Sequence, residues 1–162
     1  MWAIGLGNPT DRTFVAVDTQ EHDRIAGFSR WQTPQAGGNR ERQWPDIPEG
    51  LFDMELTEAF FGGMEVNRKD IMGQRPHWFL EILGVHKDYQ GKGVGASLLK
   101  WGTDQADKDG LETYLDGSTA GQPYYEKRHG FAPVKRMLIP DRPAYGSYSI
   151  VSMVRQPKTA PT

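Results

Sequence analysis

Three glycines, Gly91, Gly93 and Gly95, alternate with Lys92 and Val94 between an apolar run and an amphipathic one, in the segment Gln90 to Ala96. With no Cβ in the way, successive backbone N–H groups of such a turn can face one point. Beside the positive end of a helix dipole, that point is an anion site suited to phosphate. No Lys-Ser or Lys-Thr follows at P-loop spacing, which removes the nucleoside-triphosphate version of the loop. Gly91 to Ala96 does fit G-x-G-x-x-A, and Glu112 lies about 20 residues on. A dinucleotide turn, and a tight turn with no ligand, therefore stand as alternatives to a phosphate loop of another kind.

The second chemistry-bearing group is Glu81, the lone carboxylate in the run His77 to Val85. Burial in an apolar strand makes a carboxylate a candidate proton acceptor near neutral pH. The alternative is a structural carboxylate hydrogen-bonded inside the sheet. His77 and His86 flank the same run and carry groups that titrate near pH 7. Asp116 and Ser118 end the next strand and are candidates to touch a ligand.

These residues need elements to hold them. His77 to Val85 reads as a central strand covered on both faces, Ala96 to Lys108 as a helix closed by Gly110, and Glu112 to Asp116 as a short strand. Together they make one strand–loop–helix–strand crossover and so a parallel pair. Arg12 to Thr19 and Ile25 to Trp31 read as an opening β-hairpin. A short helix is expected over Pro123 to His129, ending at Gly130, then a final strand pair over Phe131 to Ile139 and Ser147 to Val154. One crossover among antiparallel hairpins argues α+β with a mixed sheet. The single crossover, the hairpin start and the five residues His86 to Gln90 before the glycines all speak against a dinucleotide fold.

Pro34 to Pro76 breaks the pattern with Gly37-Gly38, Pro45, Pro48, Gly50 and Gly62-Gly63, and reads as an inserted excursion carrying one helix. Phe52, Leu56, Ala59 and Phe60 fall at helical spacing, with Pro48 near the start and Gly62-Gly63 as the stop. Six carboxylates and no Lys or Arg lie between Trp44 and Val66, either a solvated acidic face or a rim for cationic substrates.

The chain of 162 residues reads as a single domain over 1–162, with that insertion at 34–76 and a disordered tail at 156–162. Five Trp, six Tyr and seven Phe are enough for a core in a chain with 19 Gly and 11 Pro. Cysteine is absent, so disulfides, thiolate nucleophiles and Cys-type metal sites are excluded, and no metal is expected. Nineteen basic and 21 acidic residues give a net charge of −2, which lacks the footprint of a nucleic-acid binder. With no signal-peptide pattern and no apolar run of 18 residues, a cytoplasmic protein without a membrane partner is expected, as monomer or homodimer.

Leu80 to Leu99, with Gln90, Gly93 and Gly95 as Gln/Arg-x-x-Gly-x-Gly/Ala, resembles the acetyl-CoA-binding motif of the GCN5-related N-acetyltransferase (GNAT) family. The likeness continues through Tyr114 to Ser118 and through Tyr124-Tyr-Glu-Lys-Arg-His-Gly-Phe131, covering about Trp78 to Val134 closely. It implies a GNAT-like, mostly antiparallel sheet whose parallel pair splays apart after a bulge, expected at Gly84, with acetyl-CoA as cofactor. The implied cofactor contacts are Leu83, Val85, Gln90, Gly91, Lys92, Gly93, Val94, Gly95, Ala96 and Ser118, with Lys100 as a further phosphate contact. The implied activity is direct acetyl transfer to an amine of a small molecule or an exposed amino group, including that of a peptide. A non-catalytic acyl-CoA-binding or sensing module is the alternative, and a nucleotide-dependent oxidoreductase comes third.

Acetyl transfer needs a deprotonated amine and a proton for the leaving thiolate. For the acid, the family uses a tyrosine, commonly four residues before the glycine of Gly-Phe. Here Glu126 holds that place, and Tyr125 and Tyr124 stand five and six residues ahead. One residue turns a helix by 100°, so both tyrosines are candidates, Tyr125 the favoured one; Glu81 is the candidate base. Only Met1 to Asp11 precedes the hairpin, where the family places a strand and one or two helices. The insertion is therefore expected to supply the wall those helices would build.

Overall fold

The computed structural model describes residues 7–42, 50–144 and 146–158. Six strands form one sheet in the order β1-β2-β3-β4-β6-β5: β1 Asp11–Asp18, β2 Arg24–Gln32, β3 Trp78–Val85, β4 Thr113–Ser118, β5 Ala132–Arg142 and β6 Gly146–Arg155. Among the described residues only β3 and β4 run parallel. Their crossover is α3, Val94–Asp109, and a shorter helix α4, Gln122–His129, leads from β4 to β5. This is the α+β, mostly antiparallel arrangement expected, and it removes the doubly wound dinucleotide alternative. Glu112, the acidic residue of that alternative, is engaged by Arg75 and Gln156.

Period-2 alternation sends β3 side chains to two cores. Trp78 and Leu80 join Trp31, Leu99, Ala106, Leu115, Phe131 and Met153 under α3 and α4, while Phe79 packs with Tyr114, Met72 and Val154 on the opposite face. Gly102 lets α3 press onto the sheet, because a Cβ there would collide with the Trp31 ring.

The opposite face is covered by the insertion. Its helix begins at α1, Met54–Thr57, passes through a π turn at Glu58–Gly62 and continues as α2, Gly63–Met72. Gly62-Gly63 is therefore not the stop expected: both glycines have helical dihedrals, and the chain ends its helix only at Gly73, φ +56°. The reason is packing. A Cβ on Gly63 would strike Met137 Sδ of β5, so the glycine serves close approach of helix to sheet. The start is set by Asp53, whose side chain accepts the Leu56 N–H at 3.1 Å; Pro48, the expected start signal, lies outside the described residues. Met64, Ile139 and Ile150 form the seam between this helix and the sheet.

Most of the acidic stretch is paired rather than a free rim where it is described. Asp53 and Glu55 both pair with Arg142, and Glu65 pairs with Arg68, while Glu58 stays exposed to solvent; Asp46 and Glu49 lie outside the described residues. The chain end is anchored at its start, with Gln156 donating to Glu112 and the Lys158 N–H to Asp107, both at 2.7 Å. The rest of the expected tail, 159–162, lies outside the described residues. Among the described residues no helix is long and apolar enough to cross a membrane.

Candidate active site

β3 and β4 pair only through Trp78–Thr113, Phe79–Tyr114 and Leu80–Leu115. Beyond that point they part. On the other edge of β3, Arg30 faces Ile82 while the next residue, Trp31, faces Leu80, so Glu81 is an extra residue in the strand. The bulge thus sits at Glu81 rather than at Gly84, which stays in register opposite Phe28. An unmatched residue bends its strand, which explains why pairing with β4 stops at the residue before it.

The bend opens a gap. His86 N–H donates to Ala26 of β2 at 2.9 Å, and alternation along an antiparallel pair then turns the N–H groups of Leu83 and Val85 the other way, toward the gap. A cavity of about 260 Å³ lies there, lined by Glu81, Leu83, Asp116, Ser118 and Tyr125 among others. Neither carboxylate is free. Glu81 is ion-paired with Arg30, whose Nε lies 2.9 Å away, and accepts a hydrogen bond from Gln32 Nε2 at 2.7 Å. Asp116 takes Arg42 at 3.0 Å, the Tyr114 hydroxyl at 2.7 Å and the Ser152 hydroxyl at 2.9 Å. Ser118 accepts the Gly121 N–H at the turn into α4.

The glycine loop lies at the far end of β3. His86 caps a short 3-10 turn, Lys87–Tyr89, accepting the Asp88 N–H on Nδ1 at 3.2 Å. Gly91 and Gly93 then take φ of +74° and +84°, values that only glycine adopts freely, and Gly93 is the N-cap of α3. The first helical hydrogen bond back to the loop is made by Ser97, to the Gly93 carbonyl at 3.0 Å. The N–H groups of Val94, Gly95 and Ala96 therefore have no partner inside the helix, which leaves them as donors at its positive end. At Gly95 a Cβ would come 3.3 Å from Val85 Cγ2 and 4.0 Å from the Tyr124 hydroxyl.

A cleft of about 1120 Å³ runs from this loop to α4. Leu83, Val85, Gln90, Gly91, Gly93, Val94, Gly95 and Ala96 line it, with Gln90 Nε2 tied to the Val85 carbonyl at 3.2 Å. Lys92 does not line it: its ammonium lies 5.3 Å from the Tyr89 ring centre, on the side facing β1. Lys100 is turned to Asp104. Among the described residues no Asp or Glu lines the cleft. Sequence reasoning missed the facing wall of Gly121, Arg128 and His129; the apolar-poor composition of α4 carried no signal for it.

The two tyrosines part company. Tyr125 borders both the cleft and the gap, its ring packed on Phe131 and set over Gly117 and Gly121, where a Cβ would stand 3.4 and 3.3 Å from it. Tyr124 borders the cleft alone and leans on His129, ring centres 4.6 Å apart. Burial pushes both hydroxyls above the ordinary tyrosine value, with the neighbouring Tyr124 adding to the effect on Tyr125. Both stay protonated at neutral pH. His77 is not at this site; it is buried beside Phe79 and Tyr114 on the insertion side. His86 is exposed in the Arg24–Asp88 cluster.

Solved structures share this architecture at low identity, which shows the fold. Arabidopsis thaliana NAA60, in complex with a bisubstrate analogue, aligns with a TM-score of 0.60 and 16% identity over 95% of this chain and 79% of its own. The histone acetyltransferase HPA2 and related acetyltransferase of Corynebacterium glutamicum gives 0.57 and 19% over 98% and 71%. The NatC complex bound to Gag peptide and CoA gives 0.54 and 14% over 90% and 71%. A sequence profile of the Acetyltransferase (GNAT) family matches residues 6–131, a span that holds the bulged strand, the glycine loop, the crossover helix and both tyrosines. The chain belongs to the acetyltransferase (GNAT) family.

Proposed function

We propose that this protein transfers the acetyl group of acetyl-CoA directly to an amine, on a small molecule or an exposed amino group of a peptide. One observation carries the reading: a cleft with a donor-rich glycine loop at one end and no carboxylate in its lining meets, at Tyr125, the gap where β3 and β4 part.

The residues present suit coenzyme A. The loop at 91–95 offers backbone donors for a pyrophosphate, and Gly95 keeps a side chain out of the narrow space between Val85 and Tyr124. Leu83 and Val85 offer N–H groups at the edge of the gap, placed to polarise a carbonyl. Gln90, Val94 and Ala96 complete that side of the cleft. Acetyl-CoA, when bound, supplies the acetyl group as a thioester.

Tyr125, which lines both cleft and gap and keeps its proton at neutral pH, is the general acid for the leaving thiolate. Glu81 lies in the same gap cavity and is the carboxylate to receive the amine proton. Tyr124, confined to the cleft, packs the cofactor side instead. On the side of the insertion the Arg42–Asp116 pair closes the gap.

A non-catalytic acyl-CoA-binding module remains the second reading, favoured by the fact that both gap carboxylates are already engaged by arginines. The deciding experiment follows thiol release from acetyl-CoA across an amine panel and across pH, beside calorimetric CoA binding. Release that depends on an amine supports the transferase. CoA binding with no release from any amine favours the module, and no CoA binding sinks both.

A further inference from the structure

Nearly every guanidinium of this chain is already occupied. Among the described residues each arginine except Arg128 has a hydrogen bond or ion pair with the protein. Arg128 is exposed, and it lies seven residues after Gly121 on α4, close to two helical turns, so both present to the same cleft. Among the described residues the cleft wall carries no acid to pair with it. Of the lysines near the loop, Lys100 is paired with Asp104, Lys92 rests over Tyr89 outside the cleft, and Lys87 does not line the cleft. The cleft therefore has two separate anion seats on opposite walls, the backbone donors of the loop and one free guanidinium.

Coenzyme A carries its phosphates in two places, a pyrophosphate within the chain and a terminal monophosphate on the ribose 3′ oxygen. A terminal phosphate presents several free oxygens to the planar fork of a guanidinium, which a bridging pyrophosphate cradled by N–H groups does not need. We propose that Arg128 binds the ribose 3′-phosphate of coenzyme A while the loop at 91–95 takes the pyrophosphate, an inference that rests on the acetyl-CoA reading above. The rival seat is the hollow on the other side of the first turn of α3, lined by Phe14, Lys92, Ser97 and Trp101, where Lys92 would be the cation.

Calorimetric titration of the full chain with CoA and with 3′-dephospho-CoA tests it, in wild type, Arg128→Gln and Lys92→Gln. Wild type should prefer CoA by about tenfold, the worth of one charge-assisted contact. Arg128→Gln should lose that preference and still bind dephospho-CoA as wild type does, while Lys92→Gln keeps the preference. A preference that survives Arg128→Gln, that collapses in Lys92→Gln instead, or an equal loss for both ligands overturns the assignment. Wild type that binds neither ligand removes the acetyl-CoA reading itself, and wild type that binds both alike removes only the 3′-phosphate seat. Arg128 is exposed, so unchanged circular dichroism is expected to show the variant folded.

Discussion

Arg42, from the inserted segment, donates to Asp116 at the end of β4 across 3.0 Å, and both side chains are nearly shut from solvent, 6% and 3% exposed. The guanidinium also lies 4.5 Å from the Phe79 ring centre. Through this contact the segment between β2 and β3 is fastened to the mouth of the gap. Removing one partner of a buried pair leaves a charge without compensation, so Arg42→Ala should cost about 3 kcal/mol in urea unfolding. Asp116→Asn, which keeps the hydrogen-bonding shape, should cost less. Equal, sub-kilocalorie effects would mean the pair does not hold the wall.

Tyr125→Phe should lower kcat by about a hundredfold with little change in KM for acetyl-CoA, since an acid acts in the transition state. Tyr124→Phe should leave kcat within a few fold. Because burial pushes the Tyr125 hydroxyl above its ordinary value, the protonated form persists through neutral pH and is lost only on the far alkaline side. Loss of kcat below pH 9 that vanishes in Tyr125→Phe would contradict the acid role.

Glu81→Gln separates a base from a prop for Arg30. As a base, Glu81 should be missed most at neutral pH, by about tenfold or more in kcat, and the defect should shrink as rising pH deprotonates the amine unaided. A defect constant across pH, accompanied by a lower melting temperature, would assign Glu81 to the Arg30–Asp11 ion-pair network alone.

Gly93→Val places a branched side chain at φ +84°. Open space surrounds the missing Cβ, so the strain comes from the backbone rather than from collision. We expect a stability loss of about 1–2 kcal/mol together with CoA affinity reduced more than tenfold, read by thermal melting and calorimetry. Undiminished affinity would take the loop out of the cofactor site.

Burial pulls His77 down to about 4, while its Nδ1–H donates to the Arg75 carbonyl at 2.8 Å. A histidine held neutral by the fold contributes stability that is complete above its ordinary value near 6.5. That contribution is lost as pH falls toward about 4, because the unfolded chain takes the proton first. Wild type should lose about 3 kcal/mol more than His77→Phe between pH 7 and pH 4. Parallel acid sensitivity in the two proteins would refute this.

The bulged strand, the glycine loop and the crossover were legible in the sequence because their signals are local. An apolar run, alternate glycines and a helical repeat lie within a few turns of one another, and each dictates its own backbone whatever surrounds it. That is why β3, the glycine loop, α3 and the crossover stand where expected, and why Tyr124 and Tyr125 were found as a pair. What tertiary structure alone decided depends on partners distant in sequence. The bulge fell at Glu81 because of how β2 registers against β3. Gly62-Gly63 continued a helix whose close approach to Met137 leaves no room for a side chain at Gly63. Tyr125 rather than Tyr124 borders the gap because Phe131, Gly117 and Gly121 seat its ring there. The two gap carboxylates met arginines 51 and 74 residues away. Residue types and short spacings encode local backbone; long-range pairing, which closes loops no pattern marks, sets where the side chains finally point.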